Sequence, residues 1–209
     1  MDLSHPLGVV TTSVDGDVLR VLALADAEFT ASQVHELVGE HSLAGVRNSL
    51  ERLSVQGIVL RRGAGKAYLY QLNREHLAAS SIGELARLRE RFIERLVVEL
   101  KTWQVAPLYS SLFGSAARGE MSTESDIDIL VIRPAHVVSD NEYWSSQLYV
   151  LSRKIKAWTG NGADVLEYGE EELRGSVKRD PVIVRALQEG IVLWGDSSSW
   201  KTKKKLVKT

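Results

Sequence analysis

The chain has 209 residues, so two small domains are expected rather than one large one. Apolar residues make up 44% of the chain and charged residues 25%, which excludes a wholly disordered, collagen-like or coiled-coil protein. The sequence has no cysteine, which excludes disulfides and thiolate chemistry, and its net charge of −1 favours no class of partner. It shows neither a signal peptide nor an apolar run of about 20 residues, so a cytoplasmic protein that does not enter membranes is expected.

Three short helices are predicted at the start of the chain. Each is preceded by a polar residue that can cap its N-terminus, and each carries apolar residues at helical spacing. The capping residues and the helices that follow them are Asp17 with 18–25, Thr30 with 31–38 and Ser42 with 43–56. Glycines are expected to end the second and third helices. The residues of the third helix expected to face the core are Val46, Leu50, Leu53 and Val55.

Residues 58–72 form two β-rich runs around a glycine-containing turn, which predicts a hairpin. Three helices and a hairpin resemble a winged helix-turn-helix, in which the third helix enters the major groove of DNA and the hairpin forms the wing. Residues 42–66 contain five basic residues against one acidic residue, the local excess that a DNA-binding protein needs. The alternative is a module of this fold that contacts proteins, with its arginines solvated. The expected DNA contacts are Arg47, Asn48, Arg52, Arg61, Arg62 and Lys66.

Residues 76–104 connect this segment to the rest of the chain. They carry apolar residues at every third or fourth position and no proline, which predicts one long amphipathic helix. Such a helix is expected to belong to the core of the second domain. The alternative is a dimer seam that would make the protein a homodimer, although about three heptads are short for a sustained seam.

A chemically specific pattern follows the connector. The sequence predicts a strand over 105–113 that ends in Gly114-Ser115, and ten residues later an Asp-x-Asp strand begins at Asp126. Asp126 and Asp128 would project from the same face of that strand, about 6–7 Å apart along the chain, and could bind two Mg²⁺ ions about 3.5–4 Å apart. Gly114 would let a ligand approach the backbone, and Ser115 could contact a phosphate oxygen.

This combination closely resembles the motif of the DNA polymerase β-like nucleotidyltransferase superfamily, in particular its minimal nucleotidyltransferases, over roughly residues 95–196. The resemblance calls for a third carboxylate on a later strand, and Asp164 opens the strand predicted over 163–168. Glu167 lies on the opposite face of that strand and is a weaker substitute. By itself, Asp164 could equally be a solvated acid at a strand end. The remaining predicted elements are a helix over 142–159, a helix over 182–189 and a strand over 190–194.

The resemblance implies an enzyme that transfers a nucleoside monophosphate from a nucleoside triphosphate, ATP being expected, to an acceptor hydroxyl with two Mg²⁺ ions. Position 116 is alanine where the family commonly has a larger or basic residue, so Arg118 would carry more of the phosphate contact. The implied catalytic and metal-binding residues are Asp126, Asp128 and Asp164, and the implied nucleotide-binding residues are Gly114, Ser115 and Arg118.

The expected fold class is α+β, with a winged helix-turn-helix followed by a nucleotidyltransferase domain around a small mixed sheet. Similarity to antitoxins that adenylylate a partner toxin implies a protein acceptor, together with control of transcription through duplex DNA. Similarity to antibiotic-modifying transferases would imply a small-molecule acceptor instead. Two alternatives stay open: a regulator whose transferase-like domain only senses nucleotide or binds a partner, and a transferase that acts on a nucleic-acid end. The predicted segments are 14–75 for the DNA-binding domain, 76–104 for the connecting helix, 105–196 for the transferase domain and 197–209 for a lysine-rich tail.

Overall fold

The computed structural model describes residues 1–176 and 180–196 of the chain. These residues form two compact units, one of residues 2–90 and the other of residue 1 with the chain from residue 91 onward. The lysine-rich tail predicted over 197–209 lies outside the described residues. In the part of the chain that is described, no helix is long and apolar enough to cross a membrane.

The N-terminal unit alternates helices with short strands. Its strands form an antiparallel sheet in the order β1-β3-β2, and β2 and β3 form the predicted hairpin. The three predicted helices and the hairpin are confirmed, whereas the assignment of this unit as a winged helix stays a prediction. The elements are a 3₁₀ turn (Pro6–Val9), α1 (Val14–Leu24), β1 (Phe29–Thr30), α2 (Ala31–Val38), α3 (Leu43–Val55), β2 (Val59–Ala64), β3 (Ala67–Leu72) and α4 (Ala79–Ala86).

Side-chain caps determine where α2 and α3 begin. The backbone N–H of Gln33 donates to the Thr30 hydroxyl at 3.3 Å, and the N–H of Thr30 donates to Oε1 of Gln33 at 2.8 Å, which is a capping box. At the start of α3, the N–H of Gly45 donates to the Ser42 hydroxyl at 3.1 Å. Both predicted caps are therefore confirmed, and they fix the ends of the two helices that the hairpin follows.

Two local predictions in this unit were wrong. α1 begins at Val14, four residues earlier than expected, so Asp17 lies in its first turn instead of capping it. The Asp17 carboxylate bonds the ring Nε2 of His41 at 2.9 Å. Val55 is 83% exposed instead of buried, because it follows Leu53 by two positions and so lies about 200° further around the helix.

The connecting segment is two helices rather than the single helix predicted over 76–104. α4 ends at Ala86 with Arg87 as its C-cap, and α5 (Leu88–Lys101) follows directly. The alanines at the two ends of α4 are buried in the core of the N-terminal unit. In α5, by contrast, Phe92 is buried and meets Trp158 edge to face in the C-terminal unit. The two halves therefore bury their apolar residues in different cores, and the division between the units falls within α5.

The C-terminal unit is built around a mixed sheet, which has four strands among the described residues. The strand order is β6-β5-β4-β7, with β5 parallel to β6 and with β4 antiparallel to both β5 and β7. This arrangement confirms the α+β class. The elements after α5 are β4 (Tyr109–Phe113), α6 (Gly114–Arg118), β5 (Ile127–Arg133), α7 (Glu142–Thr159), β6 (Ala163–Gly169), α8 (Glu170–Ser176), α9 (Pro181–Glu189) and β7 (Ile191–Gly195).

The central strand β5 is buried along its whole length except at Asp128. A strand covered on both faces reads as an almost continuous apolar run, and its burial makes it a rigid support for the one acid that it carries. Two elements around it differ from prediction. β4 begins at Tyr109 rather than at 105, because Pro107 lacks the N–H that strand pairing needs. Gly114-Ser115, which was expected to end that strand, instead opens the short helix α6.

Candidate functional site

Three strands bring sequence-predicted site residues together at one edge of the sheet. Asp128, the second residue of β5, pairs with Phe113 at the end of β4 and with Asp164, the second residue of β6. Gly114 follows Phe113 directly, and Asp126 immediately precedes β5. Strand register therefore places Asp128 beside one residue that is 15 positions earlier in the chain and another that is 36 positions later.

Two glycines make room for the aspartate side chains at this edge. Gly114 has a φ of +66°, and a Cβ added there would lie 2.8 Å from Cγ of Asp128 and nearer still to its Oδ2. A Cβ added to Gly162 would lie 3.3 Å from Cγ of Asp126 and nearer still to its Oδ1. A side chain at either position would displace a carboxylate. Gly114 was expected to admit a ligand to the backbone, and the structure shows that it also accommodates Asp128.

Asn161 holds the loop that carries Asp126. Its side chain is buried, and Nδ2 donates to the carbonyl oxygens of Thr123 at 3.2 Å and of Ser125 at 2.8 Å. Its backbone N–H donates to the hydroxyl of Thr159 at 3.1 Å. Asn161 was not among the predicted site residues. The available signal was a polar side chain between two glycines, directly before the strand of the third acid.

The three aspartates form one electrostatic group. Burial raises the pKa of the Asp128 carboxyl above its usual range, the charges of Asp164 and Asp126 raise that pKa further, and Arg118 lowers it. Carboxylate oxygens are the ligands that Mg²⁺ prefers, and a divalent cation would relieve this repulsion, so the donor set fits the metal. Among the described residues, no group of three or more acidic or histidine side chains is arranged so that it could hold a metal ion as it stands. Asp126 and Asp164 are exposed, so their side chains have room to turn toward Asp128.

A cavity of about 320 Å³ opens beside Asp128. Four of the six residues predicted for catalysis and nucleotide binding line this cavity, whereas Asp126 and Asp164 do not. The α9 side of the cavity was not predicted. The available signal was the spacing of three and four positions that puts its lining residues on one face of an amphipathic helix. The lining residues are Phe113, Gly114, Ser115, Ala117, Arg118, Asp128, Val182, Arg185 and Glu189.

The short helix α6 presents the other predicted phosphate contacts. Ser115 is half-buried near its N-terminus, and Arg118 is exposed at its end. Nε of Arg118 donates to Oε2 of Glu120 at 2.7 Å, and this bond raises the pKa of the guanidinium. The side chain of Ala116 is fully buried, so a larger or basic residue would not fit at this position.

Glu167 is engaged in packing rather than at the candidate site. Nε of Arg133 donates to its Oε1 at 2.6 Å, and Nε1 of Trp144 donates to the same oxygen at 3.1 Å. Arg133 and Trp144 are both buried, so the Glu167 carboxylate satisfies two buried donors. Asp164 on the same strand has no such partner within the described residues and is exposed.

The C-terminal unit matches a known protein family. Residues 91–194 match the family model of the nucleotidyltransferase domain. The match confirms the resemblance that the Gly-Ser and Asp-x-Asp motifs indicated, over nearly the same residues. No curated protein matches the chain.

Several solved structures are similar to about half of this chain. A toxin-antitoxin structure with AMP-PNP is 21% identical, with a TM-score of 0.35, and the match covers 50% of this chain and 73% of that one. A mutant of the toxin-antitoxin MntA-HpeT is 16% identical, with a TM-score of 0.36 and coverage of 52% and 77%. A protein from Sulfolobus solfataricus described as a nucleotidyltransferase is 21% identical, with a TM-score of 0.32 and coverage of 54% and 87%.

In the N-terminal unit, three of the five cations predicted to contact DNA are held in ion pairs. Two of their acidic partners lie outside residues 42–66, so the local charge excess counted from the sequence is smaller in the folded unit. Arg61 also stacks on the ring of Tyr68, with its guanidinium carbon 3.7 Å from the ring centre. The ion pairs are Arg52 with Asp15, Arg61 with Glu51 at 2.6 Å, and Arg62 with Glu28 at 2.5 Å.

The other predicted DNA contacts are open to solvent. Arg47, Asn48 and Lys66 are exposed, and neither cation forms an ion pair with another residue of the described chain. Arg47, Arg61 and Lys66 line a cavity of about 370 Å³ between α2, α3 and the hairpin, together with Tyr68. The structure therefore brings three of the six predicted contacts to one concave surface and leaves Asn48, Arg52 and Arg62 outside its lining.

Proposed function

We propose that the nucleotidyltransferase domain transfers a nucleoside monophosphate from a nucleoside triphosphate, with ATP as the expected donor, to an acceptor hydroxyl in a Mg²⁺-dependent reaction. The observation that carries this proposal is the strand register. Asp128 lies between Asp164 on one side and Phe113, which leads into Gly114-Ser115, on the other. The expected phosphate-binding turn and the acids therefore meet at one edge of the sheet.

Asp126, Asp128 and Asp164 are the residues that would hold the metal. Two Mg²⁺ ions bound there would orient the acceptor hydroxyl and neutralise the triphosphate. The hydroxyl and the backbone N–H of Ser115 would bind phosphate oxygens, with Arg118 adding positive charge. The acceptor hydroxyl would lose its proton to water, and its oxygen would form a bond to the α-phosphorus. The bond from that phosphorus to the bridging oxygen of the β-phosphate would break, and pyrophosphate would leave. Positioning and charge stabilisation supply most of the rate.

The acceptor is proposed to be a macromolecule, in the first place a partner protein such as a toxin. Asp126 and Asp164 are exposed, which supports this choice because a large acceptor can reach them without a conformational change in the sheet. A buried acid pair would favour a small acceptor instead.

The test is transfer of label from each α-labelled nucleoside triphosphate with Mg²⁺, using the full chain and a host lysate. The wild type is compared with Asp126→Asn/Asp128→Asn and with Glu124→Gln, which changes an exposed acid of the preceding loop. We expect label on an acceptor with the wild type and with Glu124→Gln only. Nucleotide binding without pyrophosphate release would instead support the alternative function, a regulator whose transferase-like domain only senses nucleotide or binds a partner.

A second function, duplex DNA binding as a winged helix, is proposed for the N-terminal unit. The order of three helices and a hairpin supports it, as do the exposed side chains of Arg47, Asn48 and Lys66. A DNA reader shows a steep dependence of affinity on salt and a preference for one duplex sequence. Equal affinity for unrelated duplexes and for single strands would contradict this assignment. It would instead favour an N-terminal unit that binds the nucleic-acid substrate of the transferase.

A further inference from the structure

The charges around the cavity of the nucleotidyltransferase domain are not equivalent. Four ionised side chains line it, two basic and two acidic: Arg118, Asp128, Arg185 and Glu189. Arg118 is already bound to Glu120 at 2.7 Å, and Glu189 contributes to its raised pKa, so its charge is largely compensated. Arg185 is exposed and forms no ion pair with any residue in the described part of the chain.

Arg185 lies on helix α9, which is capped at its N-terminus and hydrogen-bonded to β4. α9 begins with Pro181 and is capped by Asp180, whose Oδ1 accepts the N–H of Val182 at 2.8 Å. Ala186, the next residue after Arg185, is fully buried, and its carbonyl oxygen accepts the Ser111 hydroxyl of β4 at 3.3 Å. The backbone that carries Arg185 is therefore tied to the strand that leads into the Gly-Ser turn.

We propose that Arg185 is the cation that binds the triphosphate end of the nucleotide and so makes the site prefer triphosphates to shorter nucleotides. This inference rests on the proposed function and assigns Arg185, which the sequence motif does not contain, a role at the same site. A guanidinium stays charged at all physiological pH values and matches two phosphate oxygens at once, which suits a group that carries several negative charges. Val182 and Glu189 flank Arg185 on the same face of α9, and the charge of Glu189 contributes to the raised pKa of Arg118.

The test measures equilibrium binding of ATP, ADP, AMP and inorganic pyrophosphate to the full chain with Mg²⁺, by isothermal titration calorimetry. The variants are Arg185→Ala and Arg185→Lys, with Gln188→Ala as a matched control, because Gln188 is exposed on the same helix but does not line the cavity. We expect Arg185→Ala to weaken ATP and pyrophosphate binding about 10- to 100-fold and AMP binding less than about twofold. Arg185→Lys should restore part of the loss, and Gln188→Ala should match the wild type.

The same preparations are assayed for transfer, where Arg185→Ala should raise KM for the triphosphate more than it lowers kcat. Equal losses for ATP and AMP would show a merely structural role and would overturn the inference, as would unchanged ATP binding. If the wild type binds ATP in preference to AMP but transfers no nucleotide, the proposed function fails while the binding series still decides the role of Arg185. A wild type that binds no nucleotide would overturn both.

Discussion

Asp128 and Asp164 face each other in register across the parallel pair β5 and β6, with Asp128 half-buried and Asp164 exposed. Burial raises the pKa of the Asp128 carboxyl above its usual range, and the charges of Asp164 and Asp126 raise it further. Like charges at this spacing oppose folding unless a cation lies between them. The repulsion between these carboxylates therefore links the proposed metal binding at this edge of the sheet to the stability of the nucleotidyltransferase domain.

We expect Asp128→Asn to stabilise the metal-free protein by about 0.5–1 kcal/mol while abolishing transfer, because it removes a half-buried charge that two neighbouring carboxylates repel. Thermal unfolding in EDTA and in Mg²⁺ measures both effects. Mg²⁺ should stabilise the wild type and Glu124→Gln but not Asp128→Asn. A variant that is less stable than the wild type in EDTA would contradict the repulsion between these carboxylates.

The same carboxyl predicts a pH dependence. Because the pKa of Asp128 is raised in the folded protein, the folded state binds more protons than the unfolded state just above the usual pKa of an aspartate, about 4. The contribution of Asp128 to the free energy of unfolding should therefore fall as pH rises through that window. Urea unfolding of the metal-free protein between pH 4 and pH 7, compared with Asp128→Asn, isolates this contribution, and equal slopes for the two proteins would contradict it.

Gly114→Ala is expected to abolish transfer and to cost about 1–3 kcal/mol of stability, because a Cβ at a φ of +66° is strained and would displace the Asp128 carboxylate. Gly119→Ala is the matched control. Gly119 has a φ of +73°, yet nothing lies within 4 Å of its added Cβ. Both variants should lose stability, and only Gly114→Ala should lose its Mg²⁺ response. Loss of that response in both would indicate backbone strain rather than carboxylate displacement.

Two acids of β6 are expected to respond in opposite ways. Glu167→Gln leaves the buried Arg133 without a charged partner and should destabilise the protein by about 2–4 kcal/mol. Asp164→Asn should leave the midpoint of urea unfolding nearly unchanged or raised, and should abolish Mg²⁺-dependent transfer. Transfer is measured at a temperature at which both variants are folded. Full activity of Asp164→Asn under those conditions would remove this residue from the proposed metal site.

The two arginines of α3 are expected to differ in whether their replacement affects DNA binding or stability. Arg47→Ala should weaken duplex binding and reduce the magnitude of the salt slope by about one, because Arg47 is exposed and free of ion pairs among the described residues. Arg52→Ala should mainly reduce stability, because it removes the cation paired with the buried Asp15 carboxylate. Fluorescence anisotropy over a salt series and urea unfolding separate the two effects. An unchanged salt slope for Arg47→Ala would argue against its phosphate contact.

Local sequence signals were sufficient for much of the fold. Thr30 and Ser42 predicted the start of their helices, because a cap acts within three residues of its own position. The helix Glu142–Thr159 was also predicted at both ends, from its apolar stripe and the glycine that follows it. The predicted helix over 76–104 was wrong at its centre, since an apolar repeat does not indicate that its two halves belong to different cores.

The features of the candidate site also divide into those that local sequence motifs predict and those that depend on tertiary structure. The Gly-Ser turn and the Asp-x-Asp strand are contiguous motifs, so the sequence by itself determined the nucleotidyltransferase resemblance, the α+β class and the identity of the first two acids. Only the tertiary structure decided that Asp164 lies beside Asp128 while Glu167 is bound to Arg133, and that α9 supplies Arg185 to the cavity. These relationships depend on strand register and on helix packing between distant segments, and no local pattern of residues encodes either.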